Sequence, residues 1–183
     1  KKSEGRMAAE ATGELSGFGD ALDKLDKQLK NLNELLEKQA ERSEGLENCW
    51  ARHHRHHLAL KAGLEAMGLK FLVKEGARLP QMNAVHIPEA VRDREAEVRK
   101  TLLNEFNLEI GAGLGPLAGK IWRVGIMGYS CKPENVMLCL SALGSVLQDM
   151  GLPIKVGEAE AAAHQAYSQI HAQEARKKVA NLK

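Results

Sequence analysis

Arg123 is the residue whose setting most suggests chemistry. It stands inside the apolar run Ile121-Trp122-Arg123-Val124-Gly125-Ile126-Met127, a pattern that predicts a strand. Alternation sends Trp122 and Val124 to one face and leaves Arg123 on the other with Ile121 and Gly125. A guanidinium in such surroundings requires a partner, because an unpaired buried charge is very costly. Its planar fork suits bidentate capture of a carboxylate. On spacing alone, that carboxylate belongs either to a ligand or to the protein, with Glu109 or another acid closing a salt bridge.

Just upstream lies Gly111-Ala112-Gly113-Leu114-Gly115-Pro116-Leu117-Ala118-Gly119. It fails as a dinucleotide fingerprint, since Pro116 occupies the place of a required glycine and no helix begins there. It also lacks the Gly-Lys-Ser/Thr ending of a phosphate-binding loop. Turn chemistry makes it a loop between two strands. The run His53-His54-Arg55-His56-His57 invites a metal reading, because Cys49, His53 and either His56 or His57 recur at helical spacing. With no remote fourth ligand indicated, the expectation is a solvated cationic helix face with at most fortuitous nickel or zinc affinity, and no metal site is assigned. Cys131, at a helix start, would feel the positive helix N-terminus. It has no histidine nearby in sequence, so neither it nor any other residue is assigned a catalytic role.

The elements that must position these residues follow from periodicity. Residues 1–19, with Gly5, Gly13, Gly17 and Gly19 among small and polar residues, read as a flexible arm. Residues 20–44 form a charged helix capped by Asp20. It carries a heptad seam of Leu22, Leu25, Leu29, Leu32 and Leu36. From residue 45 to 151 the order is helix, strand, strand, helix, strand, strand, helix. The first helix places Trp50, Leu58, Leu60, Leu64 and Met67 inward and ends at Gly68. Strands are expected at Leu69–Val73, Met82–Ile87, Leu108–Ala112 and Lys120–Met127. A charged helix over Val91–Phe106 turns Val91, Val98, Leu102, Leu103 and Phe106 inward. Pro133 opens a helix to Met150 with Val136, Leu140, Leu143 and Leu147 buried. Residues 152–183 end in an Ala-rich helix of weak apolar content. The fold class is α+β: a mostly antiparallel sheet of about four strands with helices on one face, plus the added N-terminal helix.

Composition limits the function classes. Among 183 residues, 26 Lys and Arg stand against 24 Asp and Glu, so no concentrated basic face is available for nucleic acid. Residues 1–45 carry −2 and the remainder +4. No apolar run approaches the ~18–20 residues that span a bilayer, so no membrane partner is expected. Three cysteines without metal spacing point to a reducing, cytoplasmic compartment. The opening Lys1-Lys2 without Met leads us to expect a processed or trimmed piece. The ending Ala180-Asn181-Leu182-Lys183 is not a peroxisomal address.

Residues from about 45 to 150 resemble the C-terminal small domain of class V pyridoxal-phosphate (PLP) aminotransferases, in the alanine–glyoxylate, serine–pyruvate and ureidoglycine–glyoxylate group. The resemblance rests on Gly45-Leu46-Glu47-Asn48-Cys49-Trp50-Ala51-Arg52-His53, on Gly68-Leu69-Lys70-Phe71 and on Arg78-Leu79-Pro80. The strongest block joins Leu108-Glu109-Ile110, Gly113-Leu114-Gly115-Pro116, Gly119-Lys120 and Trp122-Arg123-Val124-Gly125-Ile126-Met127-Gly128-Tyr129, with Asn135-Val136 after it. The resemblance implies that Arg123 grips the substrate α-carboxylate, which turns its reading from internal salt bridge to ligand. A PLP enzyme must hold its amino acid so that the Cα–H bond aligns with the cofactor π-system, and a bidentate arginine supplies that orientation. Gly113, Leu114 and Gly115 would form a wall of the active-site loop, where glycines permit close backbone approach.

The same resemblance implies a larger domain bearing the cofactor lysine, an aspartate for the pyridinium nitrogen and the phosphate cup. Nothing upstream of Gly45 matches it. Where the family has an apolar stretch, this chain has Glu37, Lys38, Gln39, Glu41, Arg42, Ser43 and Glu44. The chain alone is therefore expected to bind no PLP and to be inert, its partner being a large-domain chain. The alternative is an engineered or chimeric structural or oligomerisation module without catalytic activity, self-associating through the leucine seam as a coiled coil or using it to cap the domain.

Overall fold

The computed structural model describes residues 24–32, 44–155 and 157–180. The chain falls into two units, Lys1–Leu46 and Glu47–Lys183. In the first, residues 24–32 are helical (α1). Leu25, Leu29 and Leu32 on this helix are 54%, 52% and 52% exposed, and Lys30 pairs with Asp26 one turn earlier at 2.8 Å. The expected arm over residues 1–19, and Leu22 and Leu36 of the seam, lie outside the described residues.

The second unit is built from α2 (Leu46–Ala66), β1 (Met82–His86), α3 (Glu95–Phe106), β2 (Gly111–Ala112), β3 (Ile121–Gly125), α4 (Pro133–Asp149) and α5 (Glu158–Ala180). Helix ends obey local chemistry. Gly68 adopts the left-handed φ of 81° just past α2, while the Leu69 N–H reaches back to the Leu64 carbonyl at 3.0 Å. Asn107 does the same after α3 at φ 51°, donating its N–H to Leu102 O. Pro133 opens α4, where its missing N–H costs no helical hydrogen bond.

The sheet is antiparallel in the order β1-β3-β2, so β3 is the centre. Three strands form where four were expected. The Leu69–Val73 segment reduces to a single bridge between Phe71 and Val85, flanked by Leu72 N–H to Ala84 O at 2.9 Å and His86 N–H to Lys70 O at 2.8 Å. The chain then bends into a turn at Gly76, φ 82°, where Arg78 donates from Nε to the Val73 carbonyl. Leu108–Ala112 pairs only at its last two residues. The Leu108 N–H is already spent on closing α3, bonding Leu102 O at 3.1 Å.

One sheet face is filled by Asn83, Val85, Trp122 and Val124, all buried, as strand alternation requires. Register puts Asn83 opposite Val124 and Val85 opposite Trp122. These join Leu60 and Leu64 of α2, Val98 and Leu102 of α3, and Val136, Leu140, Leu143 and Leu147 of α4 in one core. With aromatics at only 4% of the chain, Trp122 is the largest side chain that is fully buried. Two residues read as inward face out: Trp50 is 56% and Leu103 46% exposed. Trp50 lies in the first turns of α2 and Leu103 turns off the buried Val98–Leu102 stripe of α3. The weakly apolar α5 packs through Ala159 and Ala163, with Tyr167 against the core edge.

A polar staple also crosses this core. His57 of α2 donates from Nδ1 to Asn83 Oδ1 at 2.6 Å, and Asn83 Nδ2 donates to Val124 O at 3.3 Å. This satisfies a side chain that is only 1% exposed.

The β2–β3 connection is equally close-packed. A Cβ at Gly113 would sit 1.9 Å from the Leu117 carbonyl oxygen and 2.6 Å from its carbon, so backbone must move to admit it. Gly113→Ala is expected to destabilise the domain by about 1–3 kcal/mol. Urea unfolding monitored by Trp122 fluorescence checks this, and an unchanged midpoint would disprove the close packing.

Candidate functional site

Because Trp122 and Val124 are committed to the core, Arg123 is turned to the opposite sheet face, half-buried. Register places it between Ala84 of β1 and Gly111 of β2. The small neighbours matter. A Cβ at Gly111 would meet Arg123 Nη2 at 3.2 Å and Cζ and Nε at 3.4 Å, so the guanidinium lies across the space that a side chain there would take. Nε donates to the Ala112 carbonyl at 2.7 Å, which fixes the base of the fork.

The salt bridge to Glu109 left open by spacing does not form. Among the described residues Arg123 makes no ion pair, and its hydrogen bond is the one to Ala112 O. Other arginines of the domain do find carboxylates: Arg55 with Glu174, Arg94 with Glu97 and Arg99 with Glu95. The last pair holds the Glu95 carboxyl below its ordinary range, chiefly through the Arg99 hydrogen bond. Arg123 is thus a half-buried cation whose two terminal nitrogens are held by no protein carboxylate, an arrangement able to receive a planar anion from the open face.

The loop residues named with it are placed as follows. Gly113 donates its N–H to Ile121 O at 3.0 Å, tying the loop to the start of β3. Leu114 is 67% exposed. Gly115, at φ 53°, opens a short 3-10 turn to Leu117.

Three of the four histidines of the run are buried and His54 is exposed, which corrects the expectation of a solvated face. His53, His56 and His57 are 5%, 5% and 6% exposed. His57 meets β1 through Asn83, and His56 meets α5, a helix remote in sequence, through Tyr167. The three rings point to different partners rather than to a common centre. His53 Nδ1 donates to Cys49 O at 2.7 Å, with Cys49 Sγ 3.5 Å away. His56 Nδ1 and the Tyr167 hydroxyl share a hydrogen bond at 2.7 Å, and His57 holds Asn83. Among the described residues no three His, Cys, Asp or Glu side chains converge to hold a metal ion. Burial pushes the Cys139 thiol up to about 12, and Cys131 is 1% exposed. Arg52 was not singled out from the sequence, yet it donates to the Gly128 and Cys131 carbonyls at 3.3 and 3.1 Å, fixing the loop after β3. No helix among the described residues is long and apolar enough to cross a membrane.

Comparison with known proteins agrees with the resemblance. No protein-family model matches the chain. The (S)-ureidoglycine–glyoxylate transaminase of Bacillus subtilis is 45% identical over 124 residues, covering 68% of this chain and 29% of that protein. The alanine–glyoxylate aminotransferase of Mus musculus is 40% identical over 106 residues, covering 57% of this chain and 25% of the relative. The crystal structure of the ureidoglycine–glyoxylate aminotransferase from Bacillus subtilis superposes with a TM-score of 0.67 at 42% identity, over 71% of this chain and 33% of that one. The chain therefore spans about a quarter to a third of the length of the proteins it matches. Over more than half of its own length it is homologous to part of the class V aminotransferases.

Proposed function

We propose that residues from about 45 to 151 act as the substrate-carboxylate-gripping small domain of an aminotransferase, in which Arg123 binds the α-carboxylate. The observation that carries this is the state of Arg123 itself. Its Nε is fixed on Ala112 O, it lies over a glycine, and among the described residues no carboxylate satisfies its fork. In this reading the Gly113-Leu114-Gly115 turn walls the mouth of the site. The amino acceptor in this reading is glyoxylate, which the names of the relatives print for those proteins, or pyruvate, an acceptor of the resembled group.

PLP would supply the carbanion-stabilising chemistry of such a reaction. The side chains sharing the Arg123 face of the sheet are those of Met82, Ala84, His86 and Ile121, with Gly125, and none is a lysine. The surroundings of Arg123 therefore do not fit the cofactor by themselves, and no step is routed through it here. A large-domain chain is the partner that would bring it. The contribution of this chain is to orient: a carboxylate bound by both terminal nitrogens has its α-carbon direction fixed in the plane of the fork.

Titrating the Arg Nε–H resonances of the chain with pyruvate or alanine tests the grip. Arg123 is expected to show a weak, saturable shift that chloride does not reproduce. Arg123→Gln should lower the affinity by roughly tenfold or more, as loss of charge-assisted hydrogen bonds implies. Equal responses to pyruvate and chloride would sink the assignment. Inertness is tested by adding PLP to the chain. No protein-bound pyridoxal absorbance band is expected, and a stable band that decays on adding an amino donor would overturn it.

A second reading concerns the other unit. The half-exposed Leu25, Leu29 and Leu32, with Leu22 and Leu36 continuing the spacing, favour self-association between copies of this chain through the seam. Sedimentation over a concentration series is expected to show a dimer that Leu25→Lys with Leu29→Lys abolishes. A monomer at every concentration would refute it.

A further inference from the structure

The C-terminal helix meets α2 through polar side chains as well as through small apolar ones. Near its start Ala159 and Ala163 are buried, but these small side chains remove little area from water. Beyond them Ala166 and Tyr167 pack on the core edge, and among the described residues two polar links join α5 to α2. The Tyr167 hydroxyl and His56 Nδ1 share a hydrogen bond at 2.7 Å, the rings meeting edge-on with centroids 5.6 Å apart. Farther along, Arg55 donates from Nε and Nη2 to Glu174 Oε1 at 3.2 and 2.8 Å. Between α2, α4 and α5 lies a cavity of about 480 Å³, whose walls include Arg55, His56, Met137, His164, Tyr167 and His171.

We infer that this fastening is an acid-released latch, in which protonation of His56 frees α5 from Tyr167 onward while the sheet and the other helices stay folded. His56 is 5% exposed, so a charge placed on it is poorly hydrated. The groups facing it compound that cost. From α2 come Arg55, Arg52 and His53. From the first turn of α4 comes Glu134, a carboxylate that favours the charged ring. From α5 come Tyr167, then His164 and His171 across the cavity. Glu174 does not compensate, because its carboxylate is taken by Arg55. With the neutral ring's proton on Nε2, the tautomer this latch requires, Nδ1 accepts the tyrosine proton; in the imidazolium Nδ1 becomes a donor and that hydrogen bond must reverse. Burial first, then Arg55 and Arg52, hold the His56 pKa below 6.5 in the docked state, while burial keeps the Tyr167 hydroxyl protonated.

The sign follows from linkage. The undocked ring binds a proton more tightly than the docked one. Docking is therefore at full strength above pH 6.5 and weakens as the pH falls from 6.5 through the lowered docked value, by up to tenfold per pH unit for one proton. His57 is shifted in the same direction, but it faces the sheet through Asn83. Its protonation would loosen the whole core rather than α5 alone.

Hydrogen exchange resolved along the full chain, corrected for the intrinsic pH dependence, separates these cases. Between pH 7.5 and 5.0, protection of residues 167–177 is expected to fall by up to tenfold per unit below 6.5, while α4 and β1–β3 keep theirs. His56→Gln, which can still bond the Tyr167 hydroxyl and does not titrate, should flatten the profile. Glu174→Gln should leave the pH dependence above 5 in place. Protection of α5 unchanged down to pH 5.0 would overturn the inference. So would loss in step with α4 and the sheet, or a His56→Gln profile matching the native one. Should His56→Gln fail to fold, the native chain decides by imidazole NMR. His56 must titrate below 6.5 in step with the loss of protection, and titration at or above 6.5 refutes the latch.

Discussion

Much of the domain follows from the position of β3 at the centre of the sheet. Its two neighbours fix its register, and the fully buried Trp122 fixes which face looks inward. Once that indole is in the core, the next residue has no choice of side. Arg123 must stand on the open face between Ala84 and Gly111. The cation is placed by packing on the far side of the sheet, with the Ala112 carbonyl then setting its direction. Catalytic and binding residues on rigid strands gain positional accuracy in this way, because the scaffold that aims them is also the one that holds the domain together.

The helical layer solves a different problem. A chain poor in aromatics has built its core from Leu, Val, Ile and Ala, and has let three imidazoles into α2 where apolar side chains would ordinarily go. Each is admitted with a hydrogen bond: to the helix's own carbonyl, to a tyrosine of α5 and to a buried asparagine of β1. Such bonds are directional, so they specify how α2 sits on the sheet and how α5 sits on α2 more narrowly than apolar contact would. The accompanying cost is sensitivity to protonation, since a buried imidazole satisfied while neutral is not satisfied when charged.

Periodicity was a good guide wherever an element met one partner. The buried face of α4, at Val136, Leu140, Leu143 and Leu147, and the side taken by Arg123 could both be read from spacing. It misled where the cover came from far along the chain. The histidines of α2 look like a wet cationic face until α5 is laid over them, and α5 announces itself poorly because its contacts are alanines, a tyrosine and a glutamate. Asn83 carried a usable signal: alternation in Met82–His86 puts it on the same side as Val85, and a polar residue there demands a partner. The strands at Leu69–Val73 and Leu108–Ala112 were overextended because backbone groups that alternation assigns to a ladder are consumed by a turn and by the end of α3. For Arg123, spacing left two partners open. Only the absence of a nearby protein carboxylate among the described residues, seen in three dimensions, narrows the choice.

The Nε bond to Ala112 has a thermodynamic consequence. An arginine side chain ordinarily loses several freely rotating torsions when it closes on an anion, and that entropy offsets much of the enthalpy of the contact. Here the inner nitrogen is already tethered and the missing side chain at Gly111 leaves a groove that confines the rest. The tether leaves fewer of those torsions to lose if an anion closes on the fork. A lysine at the same position would keep the charge but has no inner N–H to make the Ala112 bond, so the two cations differ there in residual motion as well as in geometry.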